Sequence, residues 1–258
     1  MKVSIIGSGN VAVALAEAIS KSEHEMVQII ARNKLRGEVI AFTCDCEYSP
    51  IESVYKPADI FIVALSDSAI GSVTRKADFG DAIVVHTAGS LPQDAMKGKI
   101  RHRGVLYPLQ TFTSGITVDF KEIPILVEAS DELSLTAIES LAKSLSDRVL
   151  KIDPDKRATV HLAAVFVCNF TNHLYVVAEQ LLNQKGLPFE LMKPLIGQTT
   201  RNVLASDGSP KDLQTGPAVR GDFITKGRHT EMLKENNPIF NNIYTYLSND
   251  IWETSKKK

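Results

Sequence analysis

The stretch that most limits what this chain can become is "KVSIIGSGNVAVALAEAIS", residues 2–20. Strand formers run to Ile6, the chain turns at Gly7-Ser8-Gly9, and Ala12, Leu15, Ala16 and Ile19 then recur at helical spacing. This is G-x-G-x-x-A placed after a strand and before a helix. Glycine turns are common, and it is this placement that makes the pattern specific. Gly7 permits the tight turn and Gly9 lets backbone approach a pyrophosphate. Small Ala12 lets the helix pack closely while its N-terminus, through Ser8, Asn10 and Val11, faces an anion. The second strand, "MVQIIA", is followed by Arg32, Asn33, Lys34 and Arg36, where an acid for a ribose 2′-hydroxyl usually stands. A guanidinium there suits a 2′-phosphate, so NADP is the expected cofactor. For Lys34 and Arg36 a solvated basic loop is an equal reading; Arg32, at the strand end, is the stronger candidate.

Further strands are expected in "DIFIVALS" (59–66), "AIVVHTAG" (82–89), "RGVLYPLQ" (103–110) and "IPILVEA" (123–129). After them come one amphipathic helix and a short strand ending near Asp153. The fold class is α/β: a Rossmann-like open, mostly parallel sheet over residues 1–153, then an all-α C-terminal domain over 154–258. Ligands of such sheets lie beyond the carboxyl ends of the strands, which adds Leu65, Ser66, Asp67, Thr87, Ala88 and Gly89 to the cofactor candidates. Helical periodicity covers about 154–185, 188–205 and 228–252, with an irregular stretch between the last two. A reaction cleft is expected between the two domains.

The first helix of the second half carries "VHLAAVFVCNFTNHL", residues 160–174. At about 100° per residue His161, Cys168 and Asn172 fall in a narrow arc, which Asn169 and His173 extend; Ala163, Val167, Phe170 and Leu174 form the apolar side. Buried polar groups need partners, so this face is either satisfied by neighbouring backbone or lines a water-filled cleft. Downstream, "TGPAVRGD" (215–222) is a turn by its glycines and proline, or a place where Arg220 orients an anionic substrate.

Charge excludes some partners. Twenty-nine Lys and Arg balance thirty Asp and Glu, which gives no reason to expect nucleic acid. Lys256, Lys257 and Lys258 read as a frayed basic end. Three cysteines, Cys44, Cys46 and Cys168, are too few for a disulfide scaffold and fit a reducing compartment. No metal-ligand spacing is found among histidines and cysteines. No signal peptide precedes the first strand and no apolar run approaches bilayer length, so a cytoplasmic location is expected.

Together "ADIFIVALSDSAI", "HTAGSLP", "YPLQTF", "HLAAVFVCNF" and "TGPAVRGD" resemble bacterial proteins that pair a Rossmann-like NADP-binding domain with a helical C-terminal domain of unknown function. More distantly the chain is similar to pyrroline-5-carboxylate reductase, the deazaflavin-dependent NADP oxidoreductases, and the β-hydroxyacid dehydrogenase and ketopantoate reductase group. The resemblance implies NADP-linked hydride transfer and a homodimer formed through the helical domain, while Arg220 is the reason to expect a small anionic substrate. Two departures stand out. The lysine that the last group places on the first interdomain helix is absent, since none occurs between Lys156 and Lys185. Tyr107 stands where the family has a histidine before the proline of "PLQTF", and a proton-donating role is not carried over to it. His161 or His173 is then the expected proton source, with Asn169 and Asn172 holding a carbonyl or imine group. The rival expectation is a protein that binds NADP(H) without turnover.

Overall fold

The structure, a computed structural model, describes residues 1–234 and 237–256. Lys257 and Lys258 of the basic tail, and residues 235–236 within the helix expected over 228–252, lie outside the described residues.

The first half is one sheet with helices on both faces. Its strands are β1 (Lys2–Ile6), β2 (Glu25–Ala31), β3 (Glu47–Pro50), β4 (Ile60–Val63), β5 (Ile83–His86), β6 (His102–Pro108), β7 (Ile125–Ala129) and β8 (Val149–Lys151). They are ordered β3-β2-β1-β4-β5-β6-β7-β8, and every pairing is parallel except β6 with β7. Helices α1 (Asn10–Ser20), α2 (Lys34–Thr43), α3 (Asp67–Thr74) and α4 (Glu132–Leu145) supply crossovers. The order reverses between β1 and β4, whose residues pair Ile5 with Ile62 and Ile6 with Val63. A crevice therefore opens beyond the carboxyl ends of these two strands, where such sheets bind ligands.

Alternation along the strands builds two cores. Val3 and Ile5 join Ile29, Ile60 and Ile62 under α1, α2 and α4. Ile6, Ile30, Phe61 and Val63 face the other way, towards Ile70 and Phe79. On α1 the residues spaced for burial, Ala12, Leu15, Ala16 and Ile19, are all fully buried. Burial of each large side chain among them contributes about 1.5–3 kcal/mol. Strand β3, "EYSP", was not expected: it is short, polar and at the sheet edge, so it carries no apolar alternation to find.

The second half is helical: α5 (Pro154–Ala164), α6 (Thr171–Asn183), α7 (Lys193–Leu204), α8 (Phe223–Lys234) and α9 (Pro238–Ser255). The helix expected across 228–252 is two helices. Pro238 has no N–H to continue α8, and Asn237 caps α9 by accepting from the Phe240 amide. Between α5 and α6 the backbone is π-helical over Val165–Phe170, which makes Pro154–Asn183 one continuous thirty-residue helical run. An eighteen-residue window of it has mean hydropathy 1.4 and is not buried within the chain. By length and composition it is sufficient to cross a membrane, which corrects the expectation that no apolar run approaches that length. The polar residues scattered through "VHLAAVFVCNFTNHL" had masked it. By compactness the chain divides into Met1–Asn169 and Phe170–Lys258. Helix α5 thus belongs with the sheet.

Candidate functional site

The glycine turn connects β1 to α1 at the crevice. Gly7 has φ +138°, and a Cβ on it would lie 2.1 Å from the Ala64 carbonyl oxygen of the chain leaving β4. Only glycine fits there. Gly9 caps α1 with extended backbone and no side-chain hydrogen bond, and a Cβ on it would meet nothing within 4 Å. The first N–H groups of α1 therefore point out of the turn without a capping side chain, which is the arrangement that receives an anion. Ser8 shares a cleft with Ala31, Arg32 and Asn33 beyond β2 and with Leu65 and Ser66 beyond β4.

The basic residues after β2 separate in role. Asn33 caps α2, its Oδ1 accepting from the Arg36 amide at 3.1 Å. Lys34 makes an exposed pair with Glu38 at 3.7 Å, and Arg36 reaches the Asn10 Oδ1 at 3.4 Å. Arg32 is exposed at the cleft and, among the described residues, makes no hydrogen bond or ion pair. Asn10 is engaged a second time, donating from Nδ2 to the Phe112 carbonyl at 2.9 Å and so tying the chain after β6 to the start of α1. Val11, the next residue of α1, is half-buried.

The loops after β4 and β5 are joined. Ser90 donates to Asp67 Oδ2 at 3.0 Å, and Thr87, Ala88 and Gly89 follow β5 directly. Two residues not singled out from the sequence set this second loop. His86 is wholly buried; its Nδ1 accepts from the Ala88 amide and its Nε2 donates to the Pro92 carbonyl, each at 3.2 Å. Burial pushes its pKa down to about 4, so the ring is a neutral brace. Arg157, on the first turn of α5, is 1% exposed. It donates from Nη1 to the Ala88 and Gly89 carbonyls at 3.0 and 2.8 Å, and from Nη2 to Glu128 Oε2 at 3.0 Å. A buried guanidinium thus fastens α5 to the loop after β5 and to β7.

His161 lies one helical turn after Arg157, on the same face. Its Nδ1 is 3.0 Å from the Tyr107 hydroxyl, with the rings edge to face at 5.8 Å. Gly89 packs against both: a Cβ there would fall 2.5 Å from His161 Nδ1 and 2.8 Å from Tyr107 Cζ. The structure therefore brings His161 to the loop of Thr87–Gly89, beside a tyrosine for which no role was expected. Burial, with the Cys168 thiol nearby, holds the Tyr107 phenol above its ordinary pKa, against the pull of the Arg157 cation.

The remaining candidates fall on the π-helical segment and in the second compact unit. Asn169 ends the first compact unit on the π-helical segment, where the wider turn replaces the 3.6-residue period on which the polar arc was drawn. It is exposed, as are Asn172 and His173 on α6. In "TGPAVRGD", Gly221 has φ +66° and lies under the Trp252 indole, while Asp222 caps α8 through the Thr225 amide and hydroxyl. Those two residues do structural work; Arg220 is exposed.

Comparison with known proteins agrees with the Rossmann-like sheet and the helical second half. A Rossmann-like domain model matches residues 1–110, and the domain of unknown function DUF2520 matches residues 123–251. A crystal structure of a candidate NADP oxidoreductase from Bacteroides fragilis is 39% identical, with 98% of each chain covered and a TM-score of 0.89. The fold is also that of a 1-pyrroline-5-carboxylate reductase from Streptococcus pyogenes, at 15% identity, 100% and 99% coverage and TM-score 0.66. An imine reductase from Myxococcus stipitatus in complex with NADP+ gives 16%, 100% and 93%, and 0.60. Among proteins with curated descriptions, none matches.

Proposed function

The chain belongs to the family in which a Rossmann-like domain is joined to a DUF2520 helical domain, and from that premise we propose that it is an NADP-dependent oxidoreductase acting on a small anionic substrate. The observation that carries the reading is the open glycine turn at the N-terminus of α1, with the unpaired Arg32 guanidinium at the same cleft. The donor set fits a phosphorylated dinucleotide: uncapped backbone N–H groups for the pyrophosphate and a planar cation for a 2′-phosphate. When bound, the nicotinamide would supply or take a hydride. Leu65, Ser66 and Asp67 would flank the cofactor on one side and Thr87, Ala88 and Gly89 on the other. On the substrate side we assign proton handling to His161, orientation of a carbonyl or imine group to Asn169 and Asn172, and attraction of the anion to Arg220.

Support for an oxidoreductase, rather than a protein that only binds the nucleotide, is the likeness to the B. fragilis NADP oxidoreductase over the whole chain. We further propose that the unit is a homodimer joined through the helical half. The exposed apolar run of α5 and α6, a costly surface for a single chain in water, supports a second copy as its cover. The three free cysteines favour a reducing, cytoplasmic compartment.

The test is thermal unfolding with NADPH and, separately, NADH. A ligand at about 100 times its Kd adds roughly 2.7 kcal/mol to native stability. Selective stabilisation by NADPH, abolished in Arg32→Ala, is the expected result; no shift with either nucleotide at millimolar concentration overturns the reading. NADPH consumption with pyrroline-5-carboxylate as a probe then separates an enzyme from a protein that binds the nucleotide without turnover.

A further inference from the structure

Tyr107 is the penultimate residue of β6, and β6 runs parallel to β5 with Val105 opposite His86. The phenol is therefore carried past the last residue of β5, level with the loop that starts at Thr87. This is the carboxyl edge of the parallel sheet, the side on which ligands of such folds react. His161 comes to the same place from α5, and its Nδ1 meets the Tyr107 oxygen at 3.0 Å. The meeting is fixed from both sides. Arg157, one turn earlier on α5, holds the Ala88 and Gly89 carbonyls, and Gly89 leaves no room for a side chain between the two rings.

We propose that Tyr107 is the group that hands the proton to the substrate, and that His161 replaces that proton from behind. The proposal rests on the reductase reading and deepens it. A phenol has one proton and two lone pairs, so it can accept from His161 and donate outward at the same time. His161, with Nδ1 committed to Tyr107, has only Nε2 left for any other partner. Burial keeps the phenol protonated at neutral pH, which is the state a donor needs. In the step, the carbon of a C=N or C=O group gains a hydride from a reduced nicotinamide, and the π electrons move to the nitrogen or oxygen. That atom forms its N–H or O–H bond as the Tyr107 Oη–H bond breaks. The phenolate takes the Nδ1 proton of His161 while Nε2 takes a proton from water, which leaves as hydroxide. One hydride and one proton are consumed, and no other reactant is needed. Tyr107 is then the catalytic residue and His161 a positioning and relay residue acting through it.

The experiment uses the full chain with NADPH and pyrroline-5-carboxylate as the probe. Tyr107→Phe keeps the ring and removes Oη; kcat is expected to fall about 100-fold or more, with the NADPH-induced thermal shift unchanged. His161→Ala is expected to lose about tenfold in kcat and to recover on addition of imidazole, a rescue that a packing histidine would not give. A readout free of turnover accompanies these. The 13Cζ resonance of Tyr107, assigned by its loss in Tyr107→Phe, should titrate at a different pH in His161→Ala. Retention of turnover within about threefold in Tyr107→Phe, failure of imidazole to rescue, or an unmoved Tyr107 titration overturns the relay while leaving the reductase reading intact. A wild-type chain that binds NADPH and leaves the probe unreduced overturns the reductase reading, and the relay with it.

Discussion

Removal of the Arg157 guanidinium should be among the most damaging single changes in the sheet domain. The side chain is 1% exposed and donates to Glu128 Oε2 from Nε and Nη2, at 3.3 and 3.0 Å, and to two backbone carbonyls from Nη1. Arg157→Ala leaves a carboxylate that is itself 6% exposed without its counter-charge. The other oxygen of Glu128, Oε1, has no hydrogen-bond partner among the described residues to offset the loss. Breaking such a pair from one side costs about 3–5 kcal/mol. Replacing both partners removes the stranded charge, so Arg157→Leu with Glu128→Leu should cost less than the sum of the two single changes by about 2–3 kcal/mol. What remains is the loss of donors to Ala88 and Gly89, about 1–3 kcal/mol each. Urea unfolding followed by circular dichroism measures the cycle. Trp252, the only tryptophan, reports separately on the helical unit. A loss below about 1 kcal/mol in Arg157→Ala, or strict additivity in the cycle, would refute the view of this pair as a buried clasp.

Two other consequences can be measured directly. His86 is neutral when folded, with its pKa lowered to about 4, while the unfolded chain binds its proton below about 6.5. Stability from this group is thus complete above about pH 6.5 and lost as pH falls towards 4, amounting to roughly 2 kcal/mol at pH 5 relative to pH 8. His24, also lowered by burial, adds slope in the same window, so the contrast to measure is wild type against His86→Asn, which should be less stable at pH 8 and flatter below it. An identical acid slope in the two proteins would exclude His86 as its source. Gly7→Ala places a methyl against the Ala64 carbonyl at a positive φ, and should cost about 2 kcal/mol or more in unfolding free energy; a cost near zero would mean that the turn can relax away from β4.

Much of the sheet domain was legible in the chain itself. Strand alternation, helix spacing and the glycine turn are local patterns, each confined to a few consecutive residues, and they located β1, α1, β2, β4, β5, β6 and β7. They also put Gly7, Ser8, Gly9, Arg32, Leu65 and Ser66 along one cleft. Local pattern failed where the signal was weak or interrupted. The polar edge strand β3 has no apolar face, the break at Asn237-Pro238 was overrun by helical periodicity, and the π-helical turn shifts the phase of every face drawn across it.

The contacts of the proposed substrate side were decided elsewhere. Tyr107 and His161 are 54 residues apart, and Arg157 lies 29 residues from Glu128 and 68 from Gly89. Nothing near Tyr107 in the chain announces a histidine, and nothing near Arg157 announces two carbonyls to hold. A strand or a helix turn is fixed by neighbours along the backbone, so the sequence alone determines it. A proton path or a buried charge pair exists only where the packing of the sheet brings distant side chains within hydrogen-bond reach, and that is settled by the tertiary structure.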